Sequence, residues 1–287
     1  MITQPTVTRK MKKLEAELGV SLFDRHISNH IVLNDTGQLA AREAEKVLNA
    51  ANNFTETVLN YDRSRHQITV GSIAPGPLMF LNNLHLQQSL VIDDQLMQKN
   101  EVVNALRTRQ KRLIFTDKEL NDPDIESMYL GVEQLSIGIS QFNPLSQRSQ
   151  VSFDDLEGMS FIVVDNIGPW RQITENSIPN ANFIYQDDLK AMSQISRYSD
   201  FPFFYSNLTQ SSQSTFNRFA NHNRRKLKLV DPRNRLEIYG SYLKEDRSRI
   251  QPLLKEISKR WPKWWITKWI PIARWFPTMG ITWCMTY

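Results

Sequence analysis

Over residues 3–18, apolar side chains fall at Val7, Met11, Leu14 and Leu18, and their spacings of 4, 3 and 4 define one face of an α-helix. Both ends of that helix are marked. Thr3 suits an N-cap, Pro5 fits the first turn where its missing N–H is harmless, and Gly19 supplies a left-handed stop. Leu22-Phe23 and Ile31-Val32-Leu33 then flank a polar stretch with Ser28 and Asn29 at its centre, which predicts a β-hairpin. Asp35-Thr36-Gly37-Gln38 opens a long helix with Thr36 as its expected cap. Its apolar or small positions, Ala40, Ala44, Val47, Ala51, Phe54, Val58 and Tyr61, alternate spacings of 4 and 3. That heptad repeat is the seam of a coiled coil, and it predicts pairing of two chains more readily than packing of the helix on its own domain.

From Gln67 the period changes. Ile68-Thr69-Val70-Gly71-Ser72-Ile73 predicts a strand, Ala74-Pro75-Gly76-Pro77 a turn, and the apolar run from Leu78 a helix. Further short apolar runs at 113–115, 135–139, 161–164, 203–205 and 236–239 are separated by stretches long enough for helices. An α/β architecture follows, with an open, largely parallel sheet divided between two lobes.

Composition narrows the reading. At 287 residues and 33.5 kDa the chain is too long for one ordinary domain. Its 40% hydrophobic and 23% charged residues, with 10 Gly and 13 Pro, exclude collagen-like and wholly disordered classes. The single cysteine, Cys284, forbids an intrachain disulfide and a cysteine-rich zinc module, and the N-terminus lacks the apolar core of a secretory signal. A cytoplasmic location is expected. The net charge of +5 is unevenly spread: +1 over residues 1–65, −6 over 66–223 and +10 over 224–287. Bulk charge therefore does not mark the first helix as a nucleic-acid element, and its local pattern must. On its polar side Gln4, Thr6, Thr8, Arg9, Lys10, Lys12 and Lys13 combine base-edge hydrogen-bonding groups with cations suited to phosphates, although an ordinary solvated surface helix has the same composition.

The run Thr3-Gln4-Pro5-Thr6-Val7-Thr8-Arg9, then Lys13-Leu14-Glu15-Ala16-Glu17-Leu18-Gly19-Val20, Leu22-Phe23-Asp24-Arg25 and Thr36-Gly37, resembles the DNA-binding region of LysR-type transcriptional regulators. A second stretch, Asn143-Pro144-Leu145-Ser146-Gln147-Arg148 followed by Val151-Ser152-Phe153-Asp154-Asp155-Leu156, resembles that family's crossover into its second lobe. The resemblance implies a partial winged helix-turn-helix over 1–35, a dimerising linker helix over 36–65 and a two-lobed periplasmic-binding-protein-like effector domain over 66–260. In that division lobe I comprises 66–142 and 238–260, lobe II comprises 143–237, and a Trp-rich tail occupies 261–287. Family members place about one further scaffold helix and the first helix of the helix-turn-helix ahead of these residues, so the chain reads as an N-terminally truncated member. The implied partners are double-stranded DNA, a small-molecule effector, and further copies in a homodimer or homotetramer built through the linker helix. Gln4, Pro5, Thr6 and Arg9 are the expected base readers, and Lys10, Lys13 and Arg25 the expected phosphate contacts. An alternative is a DNA-incompetent truncated sensor or ligand-binding module, and a solute-binding protein of the same two-lobed type is a third reading.

Catalytic signatures fail. There is no G-x-S-x-G, P-loop, G-x-G-x-x-G after a strand or H-E-x-x-H, and the five histidines are scattered. No enzymatic activity, cofactor or metal is expected. His26 and His30 have metal-ligand spacing but straddle the hairpin turn without a third ligand. Asp154-Asp155 and Asp187-Asp188 read as solvated turns or helix starts. Two α/β lobes leave a cleft where strand ends and helix N-termini converge. Ser72, Ala74 and Gly76 after the first strand, Thr116 after the 113–115 run, and Asp165 and Trp170 after the 161–164 run are its candidate effector contacts. Pro75 and Pro77 remove two N–H donors from that turn, which weakens it as an anion nest. Six of the seven tryptophans lie in the last 27 residues, where Lys268, Arg274, Pro271 and Pro277 break the apolar run. No membrane span is expected there, and the segment reads as a tail outside the fold or an interfacial element.

Overall fold

Gly19 ends the first helix, α1 (Gln4–Leu18), with a φ of +69°, and its N–H closes on the Glu15 carbonyl at 2.9 Å. The computed structural model describes residues 4–24, 32–63, 67–86, 88–209 and 223–262. Thr3 and the centre of the hairpin, including Arg25, His26, Ser28, Asn29 and His30, lie outside them. The two arms of the hairpin, β1 (Phe23–Asp24) and β2 (Val32–Leu33), pair antiparallel with Phe23 opposite Leu33.

The long helix, α2 (Asp35–Arg63), is capped by Asn34 and not by Thr36. Asn34 Oδ1 accepts the Gly37 N–H at 2.8 Å, while its Nδ2 donates to the Ser21 carbonyl at 3.0 Å. Asn34 is held in the capping position because its N–H also donates to the Leu22 carbonyl at 3.1 Å, an oxygen that a methyl group on Gly37 would overlap. Leu22 is buried beneath that turn, and Glu15 Oε1 receives its N–H at 2.8 Å. The α1 end, the hairpin and the α2 start are thus interlocked. Along α2 the heptad positions Val47, Phe54, Val58 and Tyr61 are exposed, Phe54 at 71%.

The first lobe is a five-stranded sheet in the order β4-β3-β5-β13-β6, comprising β3 (Ile68–Ser72), β4 (Leu90–Ile92), β5 (Leu113–Thr116), β6 (Ile125–Glu133) and β13 (Leu236–Leu243). Helices α3 (Pro75–Asn82) and α4 (Val102–Arg107) belong to this lobe. The second lobe has β7 (Leu135–Ser140), β8 (Gln150–Val151), β11 (Phe203–Ser206) and β12 (Arg224–Leu229) in the order β11-β7-β12-β8. Beside them β9 (Ser160–Val164) and β10 (Asn182–Gln186) pair in parallel, with helices α5 (Pro169–Ser177) and α6 (Leu189–Tyr198). The last helix, α7 (Arg247–Arg260), packs back on β6 and β13.

The expectation of a largely parallel sheet is corrected. β3 runs parallel to β4 and β5, but β13 lies antiparallel to both β5 and β6, and β7 is antiparallel to β11 and β12. The reason lies in the crossing: the chain leaves the first lobe along β6 and β7 and returns along β12 and β13, so the outgoing and returning strands run in opposite directions. The tail reading is also corrected at its first residue. Trp261 is buried, its ring lying 5.3 Å from that of Phe80 and against Gly131, and its Nε1 donates to the Val132 carbonyl at 3.3 Å. Residues 263–287, with the remaining tail tryptophans, lie outside the described residues.

Two asparagines stitch the strands that pass between the lobes. Asn234, fully buried, accepts the Leu135 N–H at 2.8 Å and donates to the carbonyls of Leu135 and Leu229 at 2.8 and 2.7 Å. Asn207 accepts the Gln134 N–H at 2.9 Å and donates to the Val132 carbonyl at 2.9 Å. Replacing Asn234 by Ala leaves one N–H and two carbonyls without these partners in a site that excludes water, at a cost of about 3 kcal/mol. The urea midpoint of Asn234→Ala should fall accordingly, with the slope of the transition unchanged.

Candidate functional site

Two surfaces carry the chemistry that the sequence points to. On α1, Pro5, Thr6, Arg9, Lys10 and Lys13 are all exposed, and Lys13 Nζ lies 3.6 Å from Glu17 one turn on. The helix places cations along one side and small hydrogen-bonding residues in its first turns, an arrangement that suits a groove between phosphate backbones. Gln4 begins the helix, and Arg25 lies outside the described residues. The opposite stripe of Val7, Met11, Leu14 and Leu18 is also exposed, from 36% at Met11 to 52% at Leu18.

The second surface lies where the lobes meet. The Asp165-to-Gly168 loop of the second lobe rests on the turn after β3, so closely that a methyl group on Gly168 would overlap the Ile73 carbonyl oxygen. Gly168 adopts φ +58° there and leads directly into α5. Ala74 and Trp170 are buried on either side of this contact. Ser72 is buried but committed to its own turn, its Oγ donating to the Ala74 carbonyl at 2.6 Å and accepting the Ala74 N–H at 3.1 Å. Thr116 is buried and satisfied within the first sheet, Oγ1 lying 3.0 Å from Ser241 Oγ and donating to the Lys118 carbonyl at 2.9 Å. Asp165 is exposed and turned toward Arg171, 2.9 Å away. Of the six candidates, the structure therefore gathers Ala74, Gly76 and Trp170 at the junction, while the side chains of Ser72, Thr116 and Asp165 are engaged elsewhere. The adjacent acidic pairs do serve turns: Asp155 accepts from Ser152, and Asp188 caps α6 through the Ala191 N–H at 2.7 Å.

The residue that sequence reading missed is Glu133, the last residue of β6. Its side chain is 1% exposed, and the carboxylate lies over the Cα of Gly76, where a methyl group would overlap it. Oε2 has no hydrogen-bond partner, and neither does the Trp170 indole N–H. Burial raises the Glu133 pKa from 4.5 to about 6, with Ser206 and Trp170 alongside it offsetting part of the rise. The signal in the sequence was a lone acid within Leu130-Gly131-Val132-Glu133-Gln134-Leu135-Ser136-Ile137, which only the strand crossing turns into a site.

A third cluster joins α2 to the first lobe. The Arg109 and Arg112 guanidiniums lie 5.1 and 5.7 Å from the centre of the Tyr61 ring and bond to Asp246 at 3.2 and 2.6 Å. Arg109 also pairs with Glu245, and Asn60 Nδ2 donates to the Thr108 carbonyl at 3.0 Å.

A basic helix and hairpin, a long heptad helix and two α/β lobes joined by crossing strands define a helix-turn-helix chain with a binding-protein-like domain. Residues 1–38 match the family model described as bacterial regulatory helix-turn-helix protein, lysR family. Over those residues the chain is similar to regulators of the LysR type. It is 20% identical over 188 residues to the HTH-type transcriptional regulator DgcR of Pseudoalteromonas, covering 62% of this chain and 64% of that protein. With the HTH-type transcriptional regulator HdfR of Salmonella newport it shares 27% identity over 164 residues, 54% of this chain and 58% of that one. The matches thus span about three fifths of the length of these curated relatives. A full-length OxyR variant from Pseudomonas aeruginosa has the same fold, with a TM-score of 0.54 and 19% identity over 90% of this chain and 86% of that chain. Among the described residues no helix is long and apolar enough to cross a membrane.

The raised pKa of Glu133 fixes the sign of a pH effect. Because folding raises this pKa, the stability associated with its proton is complete below about 4.5 and is lost as the pH rises through about 6. The loss approaches about 2 kcal/mol by pH 7.5, since each tenfold change in proton affinity is worth on the order of 1.4 kcal/mol. Glu133→Gln should therefore raise the thermal midpoint at pH 7.5 and leave it nearly unchanged at pH 4. Calorimetry at the two pH values reads both outcomes.

Proposed function

We propose that the chain is a transcriptional regulator that binds double-stranded DNA through α1 and the hairpin and responds to a small molecule held between its two lobes. The observation that carries this reading is the match of residues 1–38 to the lysR helix-turn-helix model on a helix whose cationic face is exposed. In this reading residues 1–35 form the DNA-binding region, 36–65 the linker helix, and 66–142 with 238–260, and 143–237, the two lobes of the effector domain. It works in the cytoplasm and binds without catalysing. Gln4, Pro5, Thr6 and Arg9 approach base edges, while Lys10, Lys13 and Arg25 hold phosphates. Ala74, Gly76 and Trp170 bound the ligand space, and Ser72, Thr116 and Asp165 belong to the segments that flank it.

The exposed seam of α2 supports assembly into a homodimer, or a tetramer built from such dimers, because a row containing Val47, Phe54 and Val58 in water forfeits burial that a second copy restores. The exposure of Val7, Met11, Leu14 and Leu18 favours a second reading, in which the chain senses ligand while another chain supplies DNA recognition. A mobility-shift titration of the 287-residue chain on its operator separates the two, since sequence-selective binding by this chain alone removes the second.

Two substitutions test the assignments within the first reading. Arg9→Ala should weaken operator binding by roughly 1 to 3 kcal/mol and relax sequence preference, whereas Lys13→Ala should weaken operator and random DNA alike. Equal losses on both DNAs for Arg9→Ala would take Arg9 out of the reading set. Ala51→Glu places an unpaired charge in the proposed seam and should lower dimer stability by several kcal/mol. Sedimentation of that variant should show dissociation at concentrations where the parent chain remains associated.

A further inference from the structure

Glu133 gives the space between the lobes a definite chemical character. Granted that this space is the effector site, as proposed above, we infer that the ligand held there carries a cationic nitrogen, an ammonium or guanidinium group, for which the Glu133 carboxylate is the counter-ion. Three observations converge on this. The carboxylate is almost fully enclosed, yet Oε2 accepts no hydrogen bond, and the described residues provide no lysine or arginine to pair with it. It stands at the crossing of the lobes, over Gly76 at the start of α3 and next to Trp170 in the first turn of α5. Both helices begin with proline, at Pro75 and Pro169, and α3 carries a second at Pro77. The helix ends that would welcome an anion are thereby short of N–H donors.

An anionic ligand would press a second negative charge against a carboxylate that is already poorly solvated, and a wholly apolar one would leave its Oε2 without a partner. A metal ion is a poor fit, because among the described residues no group of three or more His, Cys, Asp and Glu converges. A nitrogen cation needs only one carboxylate and gains a charge-assisted hydrogen bond in a water-poor setting. The indole of Trp170 beside it offers an aromatic neighbour for such a cation.

The protonation of Glu133 supplies a signature that a merely structural acid would lack. With its pKa raised to about 6, only about one carboxylate in ten is ionised at pH 5, and nearly all are at pH 7.5. A cation that requires the ionised form should bind about tenfold more weakly at pH 5 and should release a proton on binding near pH 6. The test is calorimetric titration of the 287-residue chain with benzylammonium chloride, using benzoate and benzyl alcohol as shape-matched controls and Trp170 emission as a local readout. The expected result is binding of benzylammonium in preference to both controls, about tenfold weaker at pH 5, and at least roughly tenfold weaker in Glu133→Gln with an unchanged circular dichroism spectrum. Preferential binding of benzoate or benzyl alcohol that perturbs Trp170 would overturn the counter-ion assignment and leave the interlobe reading standing. Benzylammonium binding that neither Glu133→Gln nor Trp170→Phe alters would overturn both. Failure of all three probes to bind would overturn the inference.

Discussion

The two lobes are held in register by strands that cross between them, and everything at the junction depends on that crossing. β6 and β7 are separated by one residue, so the first sheet hands its last strand to the second with almost no slack. Asn207 and Asn234 bond across the crossing to main-chain groups of Val132, Gln134, Leu135 and Leu229. A buried amide with all its bonds made specifies one arrangement, because any other leaves polar groups stranded. Sliding one lobe along the other would break several such bonds together. That places the start of α3, the start of α5 and the end of β6 within reach of one another.

Within this frame Glu133 is a buried acid with one carboxylate oxygen, Oε2, that the fold leaves without a hydrogen bond. Burial without a partner is expensive, and single-chain domains seldom retain it where a neutral residue would pack as well. The stitching of the crossing supplies the rigidity that keeps the acid in place. Gly76 adds a close approach to the carboxylate itself, and Gly168 a close approach between the lobes at the Ile73 carbonyl. The lobes meet over a charge, and the energy of their meeting is therefore tied to whatever accompanies that charge.

The parts of this architecture that were legible in the sequence are those written by local periodicity. The stripe from Val7 to Leu18, the heptad from Ala40 to Tyr61 and the strand at Ile68 each declare their element within one or two turns of chain. The C-terminal end of α1 was legible for the same reason, since Gly19 acts on its own helix. The cap of α2 was not, because Asn34 and Thr36 are both good capping residues and only the bonds of Asn34 to the Ser21 and Leu22 carbonyls select the first. The direction of the strands was hidden as well: β6 mixes polar and apolar positions along its length, and its antiparallel pairing with β13 joins residues over a hundred positions apart. Glu133 was illegible on the same ground, for its burial is produced by the crossing and by helices from both lobes, none of them its sequence neighbours. Trp261 looked like part of an aromatic tail, and only the space left by Gly131 shows that it closes the first lobe.

Gly76 and Glu133 are 57 positions apart in the chain, yet they share one volume, the absent side chain of the first being filled by the carboxylate of the second. Neither position is free to drift alone. A side chain at 76 is admissible only when the residue at 133 is shorter, and shortening 133 alone opens a void against bare backbone. The two positions should change in concert among descendants of this chain, so that the character of the interlobe space is inherited as a pair and is altered only by a double step.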